Sequence, residues 1–201
     1  MICDTARGRS VVRINQDDAL VIVDPQNDFM PGGALAVPGG DEIFPILSPL
    51  IRSFPLVVAS QDWHPANHIS FKEQGGPWPP HCVQRTKGAE FHPDLDQSRL
   101  SIIVRKGFDA RHEQYSCFDE TSKLSGMLKG RGVSRIFVVG VATDYCVRYS
   151  VHGALEGGLG VFVLTDAVRG VDVKPGDSER ALAEMKAAGA VLITSSELAF
   201  L

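Results

Sequence analysis

Residues 135–155, RIFVVGVATDYCVRYSVHGAL, hold the pattern that decides the fold class of this 201-residue chain. Residues 135–141 are an apolar run that does not alternate with polar residues. Such runs suit strands covered on both faces, as in a parallel sheet. After a turn at Ala142 the period changes. Val147, Val151, Ala154 and Leu155 fall on one face of a helix predicted over 143–157. Thr143 reads as its N-cap, which places Cys146 in the first helical turn. A strand feeding a helix at once is the repeating unit of an α/β domain.

The same alternation extends in both directions. Apolar runs recur at 19–23, 56–60, 101–104, 161–165 and 191–194, and helical spacing at 41–54, 122–129 and 178–188. Pro45 suits a first turn, and Pro49 predicts a bend or split in its helix. Gly189 is a natural C-cap. The pattern predicts a three-layer α/β sandwich with a mainly parallel central sheet flanked by helices. It occupies residues 16–201 as one domain, after a tail over 1–15. Residues 63–100 break the rhythm with clustered Pro and Gly, and they hold four of the six histidines. A long irregular segment inside a compact domain is often functional.

Bulk properties exclude several classes. Hydrophobic residues make up 44%, and the net charge of −4 argues against a nucleic-acid footprint. No apolar run approaches the ~20 residues that span a bilayer. The first residues lack the apolar centre of a signal peptide. A cytoplasmic location with no membrane partner is therefore expected. The four cysteines include no CxxC pair, which disfavours a structural zinc knuckle, and a disulfide scaffold is unexpected in a chain this long.

Ligands enter α/β sheets at the carboxyl ends of the strands. Asp24, then Asp62 with His64, then Lys106, then Cys146 each follow a different apolar run. A helix start favours thiolate and offers N–H groups to an oxyanion. A buried core cysteine is the plain alternative. An acid at the end of an apolar strand needs a partner. Asp24 either caps the turn at Pro25 or serves as a base whose pKa burial has raised. Lys106 is either a surface lysine or the cation that stabilises thiolate and intermediate. His152 lies six positions past Cys146 and points to another side of the helix, so it is poorly placed as a base.

Asp62 and His64 alternate on an extended segment and share a face. His68 and His81 bring the candidate ligands to four. Carboxylate and imidazole suit zinc, iron or manganese, and three protein ligands leave positions open. The alternative is polar loop residues that bind nothing. Phe29, Trp63 and Trp78 suit either the walls of a pocket for a small flat ligand or a satellite core.

With these residues in hand, the chain resembles the nicotinamidases (pyrazinamidases) of the isochorismatase-like cysteine hydrolase family. The segments that carry the likeness are VDPQNDFMPGGALAV, SQDWHPANHISF, WPPHCVQRTKGAEFHPDL, VRKGFD and VVGVATDYCVRYSVHGAL. The resemblance implies a catalytic triad of Asp24, Lys106 and Cys146. It implies one divalent metal ion (Zn, Fe or Mn) on Asp62, His64 and His81, with His68 at a position that is a ligand only in some members. Phe29 and Trp78 match residues that sandwich a pyridine ring. Val141–Ala142 matches a cis peptide bond that aims the Ala142 and Cys146 N–H groups at an oxyanion. The implied activity is hydrolysis of nicotinamide to nicotinic acid and ammonia through a cysteine thioester, feeding NAD salvage. The alternatives are another cysteine amidase acting on carbamoyl or ureido substrates, vinyl ether hydrolysis, or a non-catalytic interaction module. A homo-oligomer is compatible with either kind of role.

Overall fold

The computed structural model describes residues 11–199. Its strands are β1 (Val12–Arg13), β2 (Asp18–Val23), β3 (Leu56–Asp62), β4 (Ile102–Lys106), β5 (Arg135–Val141), β6 (Gly160–Arg169), β7 (Val191–Ile193) and β8 (Leu198–Ala199). The helices are α1 (Phe44–Ser53), α2 (Leu124–Gly130), α3 (Arg148–Glu156) and α4 (Asp177–Ala187). Six strands form one parallel sheet in the order β4-β3-β2-β5-β6-β7.

Burial explains the continuous apolar runs. All six residues of β2 are buried, because the strand is paired on both edges and covered on both faces. Leu20 and Ile22 pack into the core formed with Leu47, Leu50 and Ile51 of α1. Ala19, Val21 and Val23 face the opposite core, with Leu124 of α2, Val151 and Ala154 of α3, and Ala181 and Met185 of α4. Helices on both faces of a parallel sheet make the three expected layers. Pro49 lies inside α1 without dividing it.

The chain runs outward from β2 to β3 and β4, then returns to β5 on the other side of β2. That reversal opens a crevice at the carboxyl ends of β2 and β5. Gly140 permits the close approach of these strands. It has φ +114, and a Cβ there would overlap the backbone of Val23.

The irregular segment after β3 is tied down at single points. His64 bridges Val83, Phe71 bridges Trp78, and Gln26 bridges Phe91. Residues 1–10 of the expected tail lie outside the described residues. Val12–Arg13 pairs in parallel with Leu198–Ala199. Among the described residues, no helix is long and apolar enough to cross a membrane.

Candidate active site

The sheet carries its reactive side chains on the last residues of its strands. Asp62 ends β3 and Lys106 ends β4, and the two are register partners. Asp24 directly follows β2 and turns the chain with φ 48. Cys146 lies in the turn that follows β5. Four distant stretches thereby meet. The Lys106 ammonium is 2.8 Å from Asp24 Oδ2 and 3.3 Å from Cys146 Sγ, and it hydrogen-bonds Asp62 Oδ1. All four residues are buried.

The link from β5 to its helix differs in detail from the expectation. Thr143–Val147 forms one turn of π-helix, and α3 begins only at Arg148. Ala142, not Thr143, is the capping position, and its carbonyl accepts from the Tyr145 and Val147 N–H groups at 3.0 and 3.1 Å. The wider turn leaves Cys146 at the start of the helical segment. The Val141–Ala142 peptide is cis.

The electrostatics revise one expectation. A helix start favours thiolate, yet burial pushes the Cys146 thiol well up. Lys106 opposes that rise, while the carboxylates of Asp24 and Asp62 add to it. Burial thus works against the thiolate that a helix start favours. Burial likewise raises Asp24 against the pull of Lys106. Burial alone would raise Asp62 too, but Lys106 and His64 outweigh it and hold Asp62 far below the usual carboxylate range. Desolvation disfavours the Lys106 charge, and the two carboxylates more than reverse this. The lysine stays charged because it has two buried counter-ions.

Asp24 is held by a residue that the sequence reading did not single out. Ser60 Oγ accepts from the Asp24 N–H at 3.1 Å and donates to Asp24 Oδ1 at 2.6 Å. The other oxygen, Oδ2, touches Lys106 off the angle of a hydrogen bond and receives no hydrogen bond. The ligand atoms of Asp24, Asp62 and Cys146 all lie within 4.8 Å of one another. Cys146 Sγ thus lies close to the Asp24 carboxylate.

Beside this cluster, Asp62, His64 and His81 bring their ligand atoms within 4.8 Å of one another, all buried. His64 Nδ1 donates to the Gly107 carbonyl at 2.9 Å, and His81 Nδ1 to that of Pro79 at 2.8 Å. With each Nδ1 committed to a carbonyl, Nε2 is the ring atom turned toward Asp62 and the one available to a metal, as in metal-binding histidines. The Nε2 atoms stand 3.5 and 4.0 Å from Asp62 Oδ2. Ligands ~2.0–2.1 Å from a tetrahedral zinc ion are about 3.3 Å apart. The residues fit a divalent cation with little movement. Burial lowers His81 to about 4, so its lone pair faces a carboxylate oxygen. A cation relieves that opposition.

His68 lies near this group but is not brought into it. Its ring is 4.2 Å from that of His64. Its Nδ1 is bonded to Ser70 Oγ at 2.7 Å and its Nε2 donates to the His112 carbonyl at 3.0 Å. Both nitrogens are engaged.

The pocket above Cys146 is walled by Phe29, Leu35, Trp78, Tyr115, Tyr145 and Val171, with Asp62, His81 and Ala142 at its base. Phe29 and Trp78 were legible as candidates. Tyr115 and Tyr145 were not, although Tyr145 adjoins Cys146 in sequence. The Trp78 indole donates to Tyr115 Oη at 3.0 Å and meets Tyr145 edge-on at 4.9 Å. Trp63 is elsewhere, packed under the Arg105 guanidinium at 4.0 Å. The site is suited to a flat, largely apolar ligand carrying a carbonyl for Cys146 and a lone pair for a metal.

Comparison with known proteins matches residues 18–197 to the Isochorismatase domain family. The chain is 41% identical to the nicotinamidase of Acinetobacter baylyi, over 90% of this chain and 94% of that one. It is 50% identical to the pyrazinamidase of Pyrococcus horikoshii, whose crystal structure is a complex with zinc. That likeness has a TM-score of 0.82 and covers 89% of this chain and 99% of that one. The structure of PnC1 from L. infantum in complex with nicotinate is similar at 39% identity and a TM-score of 0.90, covering 94% and 98%.

Proposed function

This chain belongs to the isochorismatase family, and we propose that within it the chain hydrolyses nicotinamide to nicotinic acid and ammonia, with Cys146 as nucleophile. The observation that carries this reading is the meeting of Cys146, Asp24 and Lys106 in a buried cluster that shares Asp62 with a His64–His81 ligand set. The neighbouring aromatic walls suit a pyridine ring, with Phe29 and Trp78 on either side.

In the mechanism, Asp24 takes the thiol proton of Cys146. The sulfur bonds to the carboxamide carbon, and the carbonyl electron pair moves to oxygen. The N–H groups of Ala142 and Cys146 receive that oxyanion. Asp24 returns the proton to the nitrogen, the C–N bond breaks and ammonia leaves, with a thioester remaining. Asp24 then takes a proton from water as its oxygen attacks the thioester carbon. The C–S bond breaks, nicotinic acid leaves and the sulfur regains its proton. Two moderate steps replace one hard amide hydrolysis. Lys106 stays positive and offsets the negative charge that passes between Cys146 and Asp24.

Asp62, His64 and His81 would hold a divalent ion, which when bound supplies a Lewis-acid position that orients the ring nitrogen. His68 supports the ligand loop through Ser70 and His112. Residues 16–201 act as one unit in this reading.

The test is ammonia release from nicotinamide by purified protein, before and after verified chelation and after metal is restored. Activity that falls on chelation and returns with metal supports chemistry and metal together. Absence of ammonia release from metal-loaded protein refutes the substrate.

A further inference from the structure

Ser60 makes two bonds to one residue, and they divide the Asp24 carboxylate into unlike halves. Its Oγ accepts the Asp24 N–H at 3.1 Å, which directs the hydroxyl proton onto Oδ1 at 2.6 Å. Oδ1 is thereby occupied. Oδ2 is left with only its off-angle ion-pair contact at 2.8 Å to Lys106, and the same ammonium lies 3.3 Å from Cys146 Sγ. Both Ser60 and Asp24 are fully buried, so water does not substitute for the hydroxyl.

We propose that Ser60 is a positioning residue that commits one oxygen of Asp24 to the scaffold and reserves the other for the Cys146 proton. This inference rests on the reading of Cys146 as nucleophile and Asp24 as base. Three features carry it. Asp24 has φ 48, a left-handed backbone that favours glycine, and the Ser60 clamp joins that backbone to its own carboxylate. Ser60 and Asp62 are two residues apart on β3, so their side chains share a face. One strand thus holds the base through Ser60 and the ligand cluster through Asp62. Finally, a carboxylate held only by its off-angle ion pair to Lys106 can rotate about its last torsion, which is broad, and proton transfer loses efficiency with small misplacement. Ser60 removes that freedom without touching the substrate pocket, whose lining does not include it.

The experiment compares wild type, Ser60→Ala and Ser60→Thr in metal-loaded protein. Four readouts are taken: kcat and KM for nicotinamide, bound metal, melting temperature, and the rate at which iodoacetamide alkylates Cys146, followed on its own peptide. Ser60→Ala is expected to lower kcat about 10- to 100-fold, the scale of a small misplacement of a reacting group, with KM and bound metal held. Alkylation of Cys146 slows in parallel. Ser60→Thr, which keeps the hydroxyl, restores kcat and alkylation to within about threefold. A Ser60→Ala variant with wild-type kcat overturns the proposal. So does a loss that tracks lost metal, or a folded Ser60→Thr variant that is as slow as Ser60→Ala. If Ser60→Ala does not fold, Ser60→Cys takes its place, keeping the volume without a strong hydroxyl donor, and wild-type kcat in that folded variant overturns the proposal. If wild type releases no ammonia, the substrate reading fails, and alkylation that slows in Ser60→Ala and recovers in Ser60→Thr still upholds the positioning role.

Discussion

Replacing Lys106 by Met deletes the charge and keeps most of the volume. In the structure this ammonium is fully buried between Asp24 and Asp62. Removing one partner of a buried pair typically costs about 3–5 kcal/mol, because the remaining charge stays desolvated. Here two carboxylates are stranded, and their mutual repulsion is no longer offset. In a domain of this size about 1 kcal/mol moves Tm by roughly 2–4 °C, so a drop of about 10 °C is expected in metal-stripped protein at pH 7. The pH dependence has a defined sign. In wild type Lys106 holds Asp62 below its unfolded pKa, so its contribution is present at neutral pH and lost on acidification. In the variant Asp62 loses its largest downward pull, and Asp24 loses the lysine that opposed its rise. Asp24, raised above its unfolded value, then contributes stability at low pH that is lost as pH rises through its folded pKa. The gap between the two proteins should therefore be widest near pH 7 and narrow toward pH 4. Thermal melts across that range, read by circular dichroism, check both statements. A variant that melts within about 2 °C of wild type at pH 7, or a gap that widens on acidification, would refute the charge assignment.

Cys146→Ala should abolish ammonia release yet still bind nicotinamide, as read by calorimetry; residual turnover near wild type would move the nucleophile elsewhere. Asp24→Asn should lower kcat about 10²- to 10⁴-fold, the usual range for a lost general base, and steady-state kinetics would expose a mild effect that contradicts the role. Gly107→Ala should lose bound metal, because Gly107 has φ +66 and a Cβ there would overlap the His64 ring. Elemental analysis that finds wild-type metal in a folded variant would show that His64 does not depend on this close approach.

The strands and their order of use were legible in the sequence, because a strand buried on both faces must be apolar at every position. β2 and β5 illustrate this directly. Asp24, Lys106 and Cys146 were legible for a related reason, since an ionisable or nucleophilic residue at the end of such a run departs from its surroundings. Asp62, His64 and His81 announced themselves by residue type and spacing. What only the tertiary structure decided are the relations between these groups. That Ser60 holds Asp24 depends on the pairing of β2 with β3, across 36 residues of sequence. That both ring nitrogens of His68 are engaged follows from its bonds to Ser70 and to the His112 carbonyl, the latter 44 residues away. The upward push on the Cys146 thiol comes from depth, because desolvation and nearby carboxylates oppose the pull of a helix start and of Lys106. Local patterning specifies which residues stand at the edge of the sheet, and their charges and partners are set by packing that brings distant segments into one water-excluded cluster.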